Sequence, residues 1–223
     1  MNLPLDLSRV HFPVTTLGPG RRLGIWFQGC SIRCPGCISA DTWGSGRHRT
    51  TVGQLLDKVQ PWFAEADGIT VSGGEPFDQP EALLELLEAF RQRSGIDILV
   101  YSGYPREQLA ETLGRADGLI DALISDPFDR QQPQSMALRG SDNQRLNLLT
   151  DLGRERFADF ERPLRPDDHA LDLMVDDDGS VWMAGIPARD DLLRLRDLLR
   201  NDGHSLQISA DTASHSASGN LPE

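Results

Sequence analysis

The chain has 223 residues, of which 39 % are hydrophobic and 25 % charged, the balance of an ordinary soluble protein long enough to bury a core without staples. Its formal net charge of −12 argues against a general nucleic-acid binder and against adhesion to anionic membranes. No run reaches the roughly 18 apolar residues of a membrane helix, and Met1 to Val10 lacks a basic-then-apolar leader, so the cytoplasm is the expected compartment.

Residues 1–22 are expected to be irregular and close on the loop signal Gly18-Pro19-Gly20-Arg21-Arg22. The apolar run Leu23 to Gln28 reads as a buried strand, and the cysteine segment follows it directly. Val52, Leu55, Leu56 and Val59 have helical spacing, which predicts a helix over 51–63 capped by Thr50 or Thr51. Gly68 to Ser72 is a strand with Gly73-Gly74-Glu75-Pro76 at its end. A helix over 80–93 follows, with Pro80 in its first turn. Ile96 to Tyr101 is a strand ending at Ser102-Gly103-Tyr104, residues 106–113 are a helix, and Leu119 to Ser125 is a strand ending near Asp126-Pro127-Phe128.

Strands alternating with helices predict βα units and a parallel sheet of the α/β class, forming an open or partial (β/α) barrel. In such folds the site lies at the carboxyl ends of the strands, and the unusual motifs fall there. Residues 154–168 read as a linker or surface segment. Leu171 to Ala184 reads as a hairpin turning at Asp177-Asp178-Gly179, and residues 187–199 as a helix. The expected organisation is a core over 1–165, a hairpin-plus-helix extension over 166–203 and a disordered tail over 204–223.

The three cysteines occur as Cys30-x3-Cys34-x2-Cys37 in GCSIRCPGC. An odd, clustered set is a poor disulfide framework and points to a metal or redox role. Three thiolates from one loop can hold three irons of a four-iron cubane, leaving the fourth iron open to an exogenous ligand. Zinc completed by a histidine such as His48 is the alternative, and with it a non-catalytic zinc or iron–sulfur module. The glycines of Gly73-Gly74-Glu75-Pro76 let a ligand approach the backbone, and Glu75 could receive an ammonium group. Ser102 and Asp126 sit at later strand ends, where a cap and a turn aspartate are the equal alternatives. Phe27 and Trp43 read first as core aromatics. The Asp176-Asp177-Asp178-Gly179 run lacks the terminal Glu of a calcium loop and reads as a plain turn.

GCSIRCPGC followed some forty residues later by SGGEPFDQP resembles the radical S-adenosylmethionine superfamily. Over residues 8–150 the order of Gly18-Pro19-Gly20-Arg21, the cysteine loop, Thr42-Trp43, SGGEPFDQ, Tyr101-Ser102-Gly103-Tyr104 and Arg139 to Arg145 is similar to the activating proteins of anaerobic (class III) ribonucleotide reductases. The resemblance implies a [4Fe-4S] cluster on Cys30, Cys34 and Cys37 and S-adenosylmethionine bound along Gly73, Gly74 and Glu75. Ser102 and Asp126 would reach its ribose or carboxylate. It implies reductive cleavage of S-adenosylmethionine to a 5′-deoxyadenosyl radical, a glycyl radical enzyme as partner and a flavodoxin- or ferredoxin-type reductant. A small molecule or a peptide is the other substrate class. Some 70 residues follow the part that carries the resemblance. The hairpin and helix among them would cover a sheet edge or dock a partner.

Overall fold

The structure is a computed structural model and describes residues 2–46, 49–176 and 181–204. Its centre is a mixed seven-stranded sheet in the order β3-β1-β2-β4-β5-β6-β7. Strands β2 (Arg22–Phe27), β4 (Gly68–Gly73), β5 (Asp97–Tyr101) and β6 (Ala122–Ser125) run parallel and are the four that hydropathy predicts. The antiparallel β7 (Arg145–Leu148) borders β6. On the other side, the antiparallel β1 (Pro4–Val14) lies beside β2 and carries the short β3 (Arg49–Thr51).

The helices lie where the spacing puts them, with shifted bounds. Thr51 caps α1 (Val52–Val59) in a capping box with Gln54. The α2 helix spans Pro80–Arg93, and α3 is cut to Ala110–Arg115 behind a 3-10 turn. One sheet face, with Leu23, Ile25, Phe27, Ile69, Val71, Ile98, Val100 and Leu123, packs on Leu55, Leu83, Leu87 and Phe90 of α1 and α2. Each such side chain contributes about 1.5–3 kcal/mol on burial.

Two expectations are corrected. The region 1–22 contains the longest strand rather than an irregular lead. β1 is half-buried, and its Leu7 and Val10 pack against the core on either side of a register shift. The stretch 154–168 is not a bare linker: α4 (Asp151–Phe157), capped by Thr150, places Phe157 on the opposite sheet face, over Leu99, Ala122 and Ile124. At the amino ends of the parallel strands that face holds a buried Arg22, which donates to Thr70 Oγ1 and Asp97.

The hairpin forms as predicted, with β8 (Leu171–Val175) pairing β9 (Val181–Gly185) in a separate two-stranded sheet, followed by α5 (Asp191–Asn201). Its turn at 177–180, His48 and residues 205–223 of the predicted disordered tail lie outside the described residues. The hairpin does not pair with either sheet edge. It lies on the sheet face, where Ala184 and Met174 pack on Val14, Leu17 and Trp26. Among the described residues no helix is long and apolar enough to cross a membrane.

Candidate functional site

The carboxyl ends of β2, β4 and β5 meet in one cavity of about 530 Å³. Beyond Phe27 the backbone continues as a ladder: Gly74 N–H donates to Phe27 O (2.8 Å), Glu75 N–H to Gly29 O (2.8 Å) and Gly29 N–H to Thr42 O (2.7 Å). This lays the start of the cysteine loop between the Gly73–Glu75 segment and Thr42-Trp43. The fit requires bare glycine. A Cβ on Gly74 would stand 2.0 Å from Gly29 O, and one on Gly73, whose φ is +105°, would stand 2.5 Å from the Phe27 backbone. The cysteine loop is pinned at Ser31, whose N–H and hydroxyl both reach Asp78 (2.7 and 3.0 Å), a carboxylate that also accepts from the Tyr104 hydroxyl.

Cys30, Cys34 and Cys37 all line this cavity, as do Gly73, Gly74, Glu75 and Ser102. Burial pushes each thiol above its ordinary value, Cys37 up to about 11. Charge on Cys34 and Cys30 raises Cys37 further. Opposing this, the sulfurs accept N–H donors: the backbone of Arg33 and Ile32 at Cys30, of Phe128 at Cys34, and of Ser39 with the Trp43 indole at Cys37. Three half-buried cysteines of one loop on one cavity wall suit a multi-iron cluster, which takes thiolate ligands and releases their protons on binding. The donor set therefore fits a cluster bound through three cysteines. Among the described residues no group of His, Cys, Asp and Glu converges as the ligands of a single metal ion would.

Glu75 is buried and braces the site. Its carboxylate accepts from Ser102 Oγ (2.9 Å), Gly103 N–H (2.8 Å) and Phe77 N–H (3.0 Å), tying the end of β4 to the end of β5. Burial raises its pKa to about 7 against the pull of those donors. Ser102 is spent on Glu75 and on Tyr104 N–H. Asp126 is not brought to the cavity; it has φ +83° and is clamped by Arg145 at 2.7 and 3.0 Å. Phe27 is core, whereas Trp43 lines the cavity.

Other wall residues come from outside the motifs. Arg9 of β1 lies between Trp26 and Trp182, 5.3 and 4.7 Å from the ring centroids, and pairs with Asp41 at 2.7 Å. Residues 183–190 and Leu192 and Leu193 complete the wall. Sequence spacing alone singles out none of these, because each depends on a partner distant in the chain. Trp43 and Asp78 were within reach, since Thr42-Trp43 and EPFDQ belong to the ordered motif set.

A family model described as a 4Fe-4S single cluster domain matches residues 16–147. The anaerobic ribonucleoside-triphosphate reductase-activating protein of Escherichia coli (strain K12) is 32 % identical over 149 residues, covering 62 % of this chain and 96 % of that relative. The pyruvate formate-lyase-activating enzyme of Clostridium pasteurianum is 29 % identical over 148 residues, covering 64 % of this chain and 56 % of that enzyme. The protein of that first name from Enterobacteria phage T4 is 28 % identical over 141 residues, covering 60 % of this chain and 88 % of the relative.

Proposed function

The chain belongs to the 4Fe-4S single cluster domain family, among the radical S-adenosylmethionine activating enzymes, and from that premise we propose that it activates a glycyl radical enzyme, an anaerobic ribonucleotide reductase being the first candidate. The observation that carries the reading is one cavity lined both by Cys30, Cys34 and Cys37 and by the glycine shelf Gly73-Gly74. When bound, the cluster supplies the electron that opens S-adenosylmethionine to methionine and a 5′-deoxyadenosyl radical.

In this reading Cys30, Cys34 and Cys37 would hold the cluster. With three cysteines in the sequence, one position of it would be left for the amino and carboxylate groups of S-adenosylmethionine. Gly73 and Gly74 admit the methionine end of S-adenosylmethionine close to the backbone. Glu75 holds the ends of β4 and β5 at fixed spacing through Ser102 and Gly103, so it positions the shelf, and it lines the cavity that would receive the amino group. Leu17, Trp26 and Trp43 line the cavity and would exclude water from it, which protects a radical from side reactions. The sheet with its four parallel strands serves as the partial barrel of this superfamily, residues 1–165 as the core unit and 166–203 as an extension to it. A flavodoxin- or ferredoxin-type protein would serve as reductant, and the cytoplasm is the compartment that suits an oxygen-sensitive cluster.

Anaerobic reconstitution with iron and sulfide tests this. The expected product is brown, carries about four irons per chain, and forms 5′-deoxyadenosine from S-adenosylmethionine with dithionite. Cys34→Ala loses both properties. One zinc without sulfide, or no 5′-deoxyadenosine, would sink the proposal and favour the binding-module alternative.

A further inference from the structure

The loop after β6 meets the cysteine segment on one side and the extension on the other. Toward the cysteines, Phe128 N–H donates to the sulfur of Cys34. The stem of Arg130 lies over Gly36, where a Cβ would stand 3.2 Å from Arg130 Cδ and 3.7 Å from the Phe128 ring. Toward the extension, Gln134 donates to Pro187 O (3.0 Å), Arg189 donates to Gln132 O, and Arg130 Nη2 lies 3.7 Å from Asp190 Oδ1. Residues 183–193 thus form a strap along the cavity that the cysteines, Gly36 and Arg130 also line. Asp190 is not used as a helix cap. It is the N-cap residue of α5, yet its carboxylate makes no capping bond, and Asp191 bonds Ala188 N–H instead (3.0 Å). Its φ of +69° is left-handed, which Asp and Asn tolerate better than most side chains. The match to the cluster-domain family ends at residue 147, so Arg130 falls inside it and Asp190 outside.

We propose that the Arg130 charge favours the reduced state of the cluster and that Asp190 attenuates it, so that the extension sets how readily the cluster takes its electron. This deepens the activase reading and rests on it. Reduction adds one negative charge to a cluster, and the charge and hydrogen bonding around it set its potential. A guanidinium stays cationic at neutral pH, and beside the cysteine loop it attracts the added electron. The packing of its stem on Gly36 fixes where that charge sits. Asp190 therefore opposes the charge without being needed to place it. The two side chains are 65 % and 57 % exposed, so water screens both and each effect is a few-fold.

The test is a redox titration of the reconstituted full-length protein without S-adenosylmethionine, followed by electron paramagnetic resonance. At a fixed applied potential, Arg130→Gln is expected to lower the ratio of reduced to oxidised cluster about threefold, and Asp190→Asn to raise it about twofold. Arg130→Lys, which keeps the charge, should stay near the parent protein. Opposite signs are what a charge pair gives, whereas loosening of the loop would move both variants in one direction. The Arg130→Gln shift should shrink in roughly 1 M salt, where the screening length falls to about 3 Å. In the Arg130→Gln background Asp190→Asn should lose at least about half of its effect. Iron and sulfide contents equal to the parent's certify loading, and Arg130→Met takes the place of Arg130→Gln if that variant loads less. Equal ratios in the parent and the Arg130 variant, shifts of one sign in both single variants, or an undiminished Asp190→Asn effect in the double variant overturn the proposal and leave the activase reading intact. A parent protein that holds no four-iron cluster defeats that reading and this proposal with it.

Discussion

At the residue scale Gly74 sets how closely the cysteine loop lies on the shelf after β4. Any Cβ there meets the Gly29 carbonyl at 2.0 Å, and backbone cannot step aside as a side-chain tip can. Gly74→Ala should displace the loop by about an ångström and lower 5′-deoxyadenosine formation about 100-fold; a rate near that of the parent protein would show that the shelf tolerates the shift. Cys37 carries a second prediction. Its folded-state pKa is raised to about 11, so the protonated thiol dominates at neutral pH and the reactive thiolate appears only as pH rises. Iodoacetamide labelling of Cys37 in the metal-free protein should therefore keep accelerating about tenfold per pH unit from 8 to 10, past the range in which an ordinary thiol levels off. A profile that flattens near pH 9 would contradict the burial that causes the shift. Contiguous motifs made the cysteines and Gly73-Gly74-Glu75 legible in the sequence, because loop spacing alone brings such residues together. The bracing of Glu75 by Ser102 and Gly103, the clamp of Arg145 on Asp126 and the pinning of Ser31 by Asp78 were not, since each is fixed by a partner on another strand or loop.

At the element scale, legibility followed burial. β2, β4, β5 and β6 are short runs with most residues inaccessible on both faces, so continuous hydrophobicity marks them. β1 is half-buried and carries Pro13, β7 is four residues at an edge, and α4 holds a glycine among charged residues, so none has a strong periodic signal. That glycine has a reason. A Cβ on Gly153 would stand 2.0 Å from Asp121 O, so α4 can seat Phe157 over the sheet only with hydrogen at this position. Gly153→Ala should destabilise the fold by about 3 kcal/mol, read as a lower urea midpoint; an unchanged midpoint would mean that α4 seats differently. The strap depends on Asp172, which takes four hydrogen bonds from Thr15 and Thr16. Asp172→Ala should loosen the hairpin by about 1–2 kcal/mol and expose residues 166–204 to limited proteolysis, leaving the sheet protected; equal protection in both proteins would deny that anchor.

At the scale of the whole molecule, a sheet with its site at the strand ends is joined to a strap that walls the same cavity. The parallel βα order and the extension could be read from the chain, but their meeting at one cavity could not. Contact between Trp182 and Arg9, or between Pro187 and Gln134, follows from tertiary packing alone. The central claim is that the cavity holds a cluster with one position open to S-adenosylmethionine. It is tested most directly by electron paramagnetic resonance of the dithionite-reduced, reconstituted protein before and after S-adenosylmethionine is added. The account predicts a signal from a reduced four-iron cluster whose g-values shift on addition, with both the signal and the shift lost in Cys34→Ala. A cluster signal that does not respond to S-adenosylmethionine, or the absence of any cluster signal from the parent protein, would contradict it.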